Sequence, residues 1–302
     1  MDNVYHVPVM LKECVEGLNI SPSGAYVDVT FGGGGHSKEI LKHLGEDGVL
    51  VGFDQDADAQ QNILNDDRFV FIDQNFKYLK NNLRMHELLP VDGVLADLGV
   101  SSHQFDVPNR GFSIRFDGDL DMRMDQTSGL TAKEIVNTYT EEELHRIFGI
   151  YGEIQNAKSL AKTIVTARLN MAIVTIADLK NVISKLIPRG KENKYLAQVF
   201  QALRIEVNQE MEALKDFLVQ TAEVIKPGGR LVVMSYHSLE DRLVKNFMAK
   251  GKFSGQVEKD FFGNEIKPFS VVTKKSVTAS EEEIKLNNRA RSARLRIAVK
   301  NG

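Results

Sequence analysis

Short apolar runs alternate with amphipathic stretches through the first hundred residues or so of the chain. Four of the runs, Ala25 to Thr30, Val49 to Asp54, Arg68 to Asp73 and Val91 to Asp97, are rich in β-branched or aromatic residues and of strand length. Strands separated by helical stretches predict an α/β fold, a parallel sheet covered by helices. A fifth strand is predicted over Leu231 to Ser235, after Lys226-Pro227-Gly228-Gly229, where proline and glycines stop a helix and restart the chain. More than a hundred residues part the fourth strand from the fifth, and they read mostly as helix: Glu141 to Phe148, Ala157 to Asn170 and Leu196 to Val219. A structureless connection of that length does not suit a compact domain, so the pattern predicts a helical subdomain inserted between strands four and five. The expected organisation is a sheet domain in two parts, residues 1–104 and 216–302, interrupted by a helical insertion over 105–215. Ligands of open α/β sheets bind beyond the carboxyl ends of the strands, and the insertion leaves from one of those ends.

With 302 residues and 42% hydrophobic content the chain can fill a complete core. A formal net charge of −3 gives no global attraction to a polyanion, so such a site must come from local clustering. Two stretches qualify. From Lys158 to Arg204 nine basic residues face only Asp178 and Glu192, and from Ile284 onward six basic residues face no acid. Solvated helix faces and a charged tail are the ordinary reading of both. One cysteine, Cys14, excludes an internal disulfide framework, fits a reducing compartment and is given no catalytic role. Acidic residues at Asp2, Glu13 and Glu16, with no basic leader before an apolar stretch, argue against a signal peptide. No apolar run is long enough to span a membrane, so a cytoplasmic chain without membrane contact is expected.

Candidate chemistry begins after the first strand, at Asp28-Val29-Thr30-Phe31-Gly32-Gly33-Gly34-Gly35-His36, with a helix predicted from near Ser37. Glycines let the backbone approach a ligand and take positive φ, and the following helix turns unpaired N–H groups toward the loop. A dinucleotide-binding loop would need a third glycine, three residues after the second. Ser37 or Lys38 stands there instead. Asp54 ends the second strand, where a carboxylate accepts ribose hydroxyls, and Phe76 follows the third, where a ring could cover an adenine or simply pack in the core. Asp97 ends the fourth and is either a group that orients or accepts at a reacting atom or a turn-capping aspartate. No cysteine–histidine cluster supports zinc, and His43, His86 and His145 lack ligand spacing, so no metal is expected.

The chain resembles, from end to end, the bacterial ribosomal RNA small subunit methyltransferase H family, also called MraW. The resemblance is carried by His6 to Leu11, Thr30 to Ser37, Asp97 to Gln104, Arg110 to Ser113, Leu120 to Asp125, Phe200 to Asn208, Ser235 to Arg242 and Arg289 to Ser292. It implies a Rossmann-like class I methyltransferase sheet, S-adenosylmethionine as cofactor, and N4-methylation of a cytidine in the decoding region of 16S rRNA, so that 16S rRNA or the small ribosomal subunit is the partner. It implies that Gly34, Gly35, His36, Asp54, Phe76, Asp97 and Gln104 contact the cofactor, which lessens a direct catalytic role for Asp97. Gly33 departs slightly, since relatives often carry a larger residue there. The acid-proline-proline-aromatic motif of other amino-methyltransferases is replaced by Asp97-Leu98-Gly99-Val100, which leaves the base-orienting groups open.

Ser101, Ser102, His103, Tyr236 and His237 are the next catalytic candidates, with Tyr236 able to stack on a base and His237 to orient it or relay a proton. A structural hydrogen-bond network around the fifth strand is the competing account of them. Arg110, Arg115, Arg123, Arg289, Arg291 and Arg294 are candidate phosphate contacts, although Asp117, Asp119, Asp121 and Asp125 can pair with the first three. A target base must leave its stack, which suggests the helical insertion helps grip the RNA. Two other classes stay in view: a non-enzymatic ribosome-assembly factor that binds adenosylmethionine, and a nicotinamide-dependent dehydrogenase, disfavoured by the missing glycine. Whether the chain forms a homodimer is left open.

Overall fold

The computed structural model describes residues 8–127 and 129–302, with the backbone alone for Ser102. Asp2 and the His6-Val7 start of one matching segment lie outside the described residues. The chain divides into two compact units, one made by the chain up to Gly99 together with Met211–Gly302, the other by Val100–Glu210. These junctions fall five residues before the expected boundaries at 104/105 and 215/216.

The first unit is built on a seven-stranded sheet of β1 (Ala25–Asp28), β2 (Val49–Asp54), β3 (Phe69–Asp73), β4 (Val91–Asp97), β5 (Ile225–Ser235), β8 (Phe269–Val271) and β9 (Arg294–Lys300), with β6 (Glu258–Lys259) and β7 (Glu265–Ile266) forming a separate hairpin. The order is β3-β2-β1-β4-β5-β9-β8. The first five strands are parallel, and β9 runs antiparallel between β5 and β8. Side chains alternate across the pleat, so neighbours in sequence enter opposite cores. Val51, Val94, Leu231 and Val233 join one core, and Leu50, Leu95, Val232 and Met234 the other. Helices α1 (Leu11–Leu18) and α2 (Gly35–His43) cover the second core through Val15, Leu18 and Ile40. Helix α3 (Leu79–Met85) covers the first core through Leu79 and Leu83. A fully buried Val or Leu contributes about 1.5–3 kcal/mol, against roughly 0–1 for an exposed ion pair, so these two cores carry the sheet.

In the second unit lie α4 (Ser102–Asp106), α5 (Ala132–Thr138), α6 (Glu141–Ile150), α7 (Ala157–Arg168), α8 (Ile176–Ile183) and α9 (Glu192–Asn208). Thr131, Thr140 and Thr175 each accept an N–H at the start of α5, α6 and α8, with the acid three residues on returning the bond. The single helix predicted over Leu196 to Val219 is instead two, because Gln209 turns left-handed at φ +50° before α10 (Glu210–Val224). Arg204 forks onto Glu210 across that break at 2.8 and 2.9 Å.

Two further expectations change. The Lys226 to Gly229 turn does not precede β5 but bulges from it: Ile225 pairs with Val91 and Arg230 with Gly93, with Gly228 at φ +82° in between. The basic terminus is not a solvated tail, since Arg294–Lys300 is β9, inside the sheet. There Arg296 forks onto Asp241 of α11 (Ser238–Lys250) at 2.7 and 2.9 Å. Helix α12 (Glu281–Leu286) precedes the last strand.

Candidate active site

The glycine loop is closed by Asp28, the last residue of β1 and only 1% exposed. Its Oδ2 accepts the Ser37 hydroxyl at 2.7 Å and its Oδ1 the Thr30 N–H at 3.1 Å, tying both ends of the loop to one carboxylate. Gly32 and Gly34 are left-handed, at φ +50° and +72°. Among the described residues a Cβ on Gly32 would meet nothing nearer than the Thr30 carbonyl at 3.9 Å, whereas one on Gly34 would lie 3.0 Å from the Phe31 ring and one on Gly35 2.2 Å from Pro8, so the room for a close approach is at Gly32. Helix α2 starts at Gly35, two residues before the expected position, and its N-cap residue is Gly34, which has no side chain to cap it. Its first-turn N–H groups and positive dipole end are therefore presented at the loop.

Asp54, at the end of β2, accepts the Gly32 N–H at 2.8 Å on one oxygen and the Asp56 N–H at 2.9 Å on the other. Each oxygen keeps a further lone pair. Burial pushes this carboxyl up to about 6; the two N–H donors pull it down, and Asp56 and Asp28 raise it further. Phe76 lies beyond β3 and meets Phe217 of α10 edge to face at 5.3 Å, so part of its ring already serves the core.

Asp97, at the end of β4, donates its N–H to the Thr30 hydroxyl at 2.7 Å. Its Oδ1 accepts the Tyr236 hydroxyl at 2.8 Å, and its Oδ2 lies 3.9 Å from Nδ1 of the buried His36. Burial raises this carboxyl to about 6, against the downward pull of His36 and the Tyr236 hydroxyl, with Asp28 and Glu240 adding to the rise. The Tyr236 hydroxyl is itself held well above its ordinary range, by burial first and the Asp97 charge second. Glu240, 2% exposed, accepts the Tyr236 and His237 N–H groups at 2.8 and 3.3 Å. His237 caps α11: Nδ1 accepts the Glu240 N–H, and Nε2 lies 3.1 Å from Glu240 Oε1. Nδ1 of His237 thus serves its own helix cap, while the buried Nε2 makes no hydrogen bond among the described residues, and the Tyr236 hydroxyl faces Asp97. Cys14 is buried, its thiol pushed up mainly by burial.

In the second unit Ser101 caps α4, accepting the Gln104 N–H at 3.2 Å while the Gln104 side chain accepts the Ser101 N–H at 3.0 Å. Ser102 and His103 occupy the first turn of the same helix. Arg110 is corrected from surface cation to scaffold: 3% exposed, it donates to the carbonyls of Arg123 and Met124 at 3.1 Å each. Arg123 is largely committed too, forking onto Asp121 at 3.0 and 2.8 Å. Arg115, Arg291 and Arg294 are exposed, and Arg289 is half-buried. Sequence reasoning missed Asp28 and Glu240. The Glu240 role had a local signal, an acid three residues after the helix-start residue His237.

A parallel sheet extended by an antiparallel strand, a glycine loop after β1 and carboxylates closing β2 and β4 define a Rossmann-like class I methyltransferase, the adenosylmethionine-dependent kind. The chain belongs to the MraW methylase family, whose model matches residues 3–301. It is 60% identical over 296 residues to a Bacteroides thetaiotaomicron protein named ribosomal RNA small subunit methyltransferase H, covering 98% of this chain and 97% of that one. A Cytophaga hutchinsonii protein of the same name is 60% identical over 297 residues, covering 98% of this chain and 99% of that one. A solved rRNA methylase from Streptococcus thermophilus, at 11% identity and TM-score 0.39 over 97% of this chain and 94% of that one, is too distant to add to the assignment.

Proposed function

We propose that this methyltransferase moves a methyl group from S-adenosylmethionine to N4 of a cytidine in the decoding region of 16S rRNA. The observation that carries the reading is the placing of Asp54 and Asp97 at the ends of the two strands that flank β1, beside the start of α2, in a chain 60% identical over nearly its full length to proteins named for small-subunit rRNA methylation. The donor set suits the cofactor. Asp54 has lone pairs for a ribose diol, the α2 start suits a carboxylate, and the open backbone at Gly32 admits close approach. Gly34, Gly35, His36, Asp54, Phe76 and Asp97, all of the first unit, are the residues proposed to hold it.

Once bound, adenosylmethionine supplies a methyl group on a sulfonium that leaves as a neutral thioether, so the protein's work is positioning. Asp97, held by Tyr236 and Thr30, fixes one side of the site, and Asp28 holds the loop in shape. The exposed Arg115, Arg291 and Arg294, the partly exposed Arg289 and the basic helices of the insertion are the groups proposed to meet RNA phosphate. The test is labelled methyl transfer to small-subunit RNA from cells lacking the modification. Wild type is expected to label it, and Asp97→Ala to lose both labelling and cofactor. Cofactor binding without any transfer would contradict the reading. A ribosome-assembly role persisting in Asp97→Ala would favour the assembly factor.

A further inference from the structure

The three residues ahead of α1, Pro8 to Met10, lie as a strap against the glycine loop. A Cβ on Gly35 would stand 2.2 Å from Cγ of Pro8, so the proline ring sits directly on the start of α2. The Val9 carbonyl meets Nε2 of the buried His36 at 3.3 Å. A carbonyl can only accept, so in this contact Nε2 carries the proton, and Nδ1 is the nitrogen turned to Asp97, whose Oδ2 lies 3.9 Å away. The strap thereby sets both the orientation of the ring and the tautomer that faces the carboxylate.

What holds the strap comes from the far end of the sequence. Glu283 of α12, 273 residues on, accepts the Met10 N–H at 2.7 Å. Met10 stands at φ +50°, a left-handed conformation that a residue with a side chain keeps only where its surroundings impose it. Glu283 is itself firmly placed. Ser280 caps α12 by accepting the Glu283 N–H at 3.1 Å, Val277 ahead of it pairs with Leu295 of β9, and Ala279, Ala290 and Ala293 on either side are buried in the second core. The Met10 side chain, in the same core, would serve packing alone. The carboxylate acts on its backbone instead, where the course of the strap is decided. All these residues belong to the first unit. We propose that Glu283 is a positioning residue for the cofactor site, latching the Pro8 to Met10 strap onto the start of α2 so that the His36 imidazole stays turned toward Asp97. This rests on the reading that Gly34 to His36 and Asp97 hold adenosylmethionine.

The test uses the full chain and adenosylmethionine itself. Glu283→Ala is expected to weaken binding about five- to tenfold by calorimetry, the scale of one lost charge-assisted hydrogen bond. Glu283→Gln keeps an accepting oxygen and is expected to stay within about twofold of wild type. The His36 signals in a histidine 15N spectrum, assigned by their loss in His36→Gln, are expected to pass from a protonated Nε2 to exchanging tautomers in Glu283→Ala alone, at a temperature where melts show every variant folded. A carboxylate that only steadied the fold would leave that tautomer unmoved. Unchanged binding in folded Glu283→Ala, weakened binding with an unmoved His36 spectrum, or an equal loss in both variants overturns the proposal. If Glu283→Ala does not fold, Pro8→Gly takes its place, since it withdraws the ring from Gly35 and leaves Met10 alone. The same weakening is expected there, and unchanged binding overturns the role of the strap. Asp97→Ala that binds adenosylmethionine as wild type does overturns the underlying site instead.

Discussion

At the scale of single residues, the proposed site rests on two partly buried carboxylates at strand ends. Asp97 is kept ionisable by the Tyr236 hydroxyl and the nearby His36 imidazole, and Asp54 by two backbone N–H groups. Tyr236→Phe keeps the ring and removes the donor. It is expected to weaken adenosylmethionine binding by roughly 1–2 kcal/mol, about five- to thirtyfold, and to move the acid limb of binding to higher pH, as calorimetric titrations from pH 5 to 8 would show. An unchanged limb would mean that the hydroxyl does not act on Asp97. Both carboxyls stand at about 6, above their ordinary 3.8. The folded cofactor-free chain therefore keeps protons that the unfolded chain has lost between about pH 4 and 6. Through these two groups its stability rises as pH falls through 6. Cofactor binding through the proposed Asp54 and Asp97 contacts would need the ionised forms and would run the other way. The rise in melting temperature given by a fixed adenosylmethionine concentration should shrink from pH 7.5 to 5.5. A rise that grows over that range would contradict the assignment. The Tyr236 to Asp97 bond was not legible in the sequence, because 139 residues separate the partners and only the pairing of β4 with β5 brings them together.

Among elements, the parallel strands were the legible part. The inner ones, such as β2 and β4, bury both faces and so read as continuous apolar runs, and these two have the bounds that the pattern predicts. β9 was hidden because Arg294 and Arg296 alternate with Leu295 and Ile297 in what reads as a basic tail. The break at Gln209 was hidden because no glycine or proline marks it. The loop after β1 has two glycine requirements that differ in kind. Gly34 needs its positive φ, whereas a Cβ on Gly35 would lie 2.2 Å from the Pro8 ring. Gly35→Ala is expected to displace the start of α2, costing about 1–3 kcal/mol of stability and much of the cofactor affinity. Gly149→Ala, inside α6 with its new Cβ 3.8 Å from Ala157, should instead stabilise by about 0.5–1 kcal/mol. Thermal melts of the two variants check both signs.

For the whole molecule, charge is the term that the chain must arrange locally, since its total of −3 repels RNA. The arginines sort by burial. Arg110 is committed to carbonyls, so Arg110→Ala should lower stability, whereas Arg115, Arg291 and Arg294 remain at the surface. Replacing those three together should leave the melt nearly unchanged and reduce the slope of log affinity against log salt for single-stranded RNA by about 2, at roughly 0.7 per lost phosphate contact. An unaltered slope would place the RNA elsewhere. The central claim joins a cofactor loop between Asp54 and Asp97 to one methylated atom in RNA. Its most direct test is digestion of the methylated small-subunit RNA to nucleosides and position mapping by mass spectrometry. The expected result is a single N4-methylcytidine within the decoding region, absent with Asp97→Ala. A methyl group on another atom, or RNA left unmodified by a chain that binds adenosylmethionine, would contradict it.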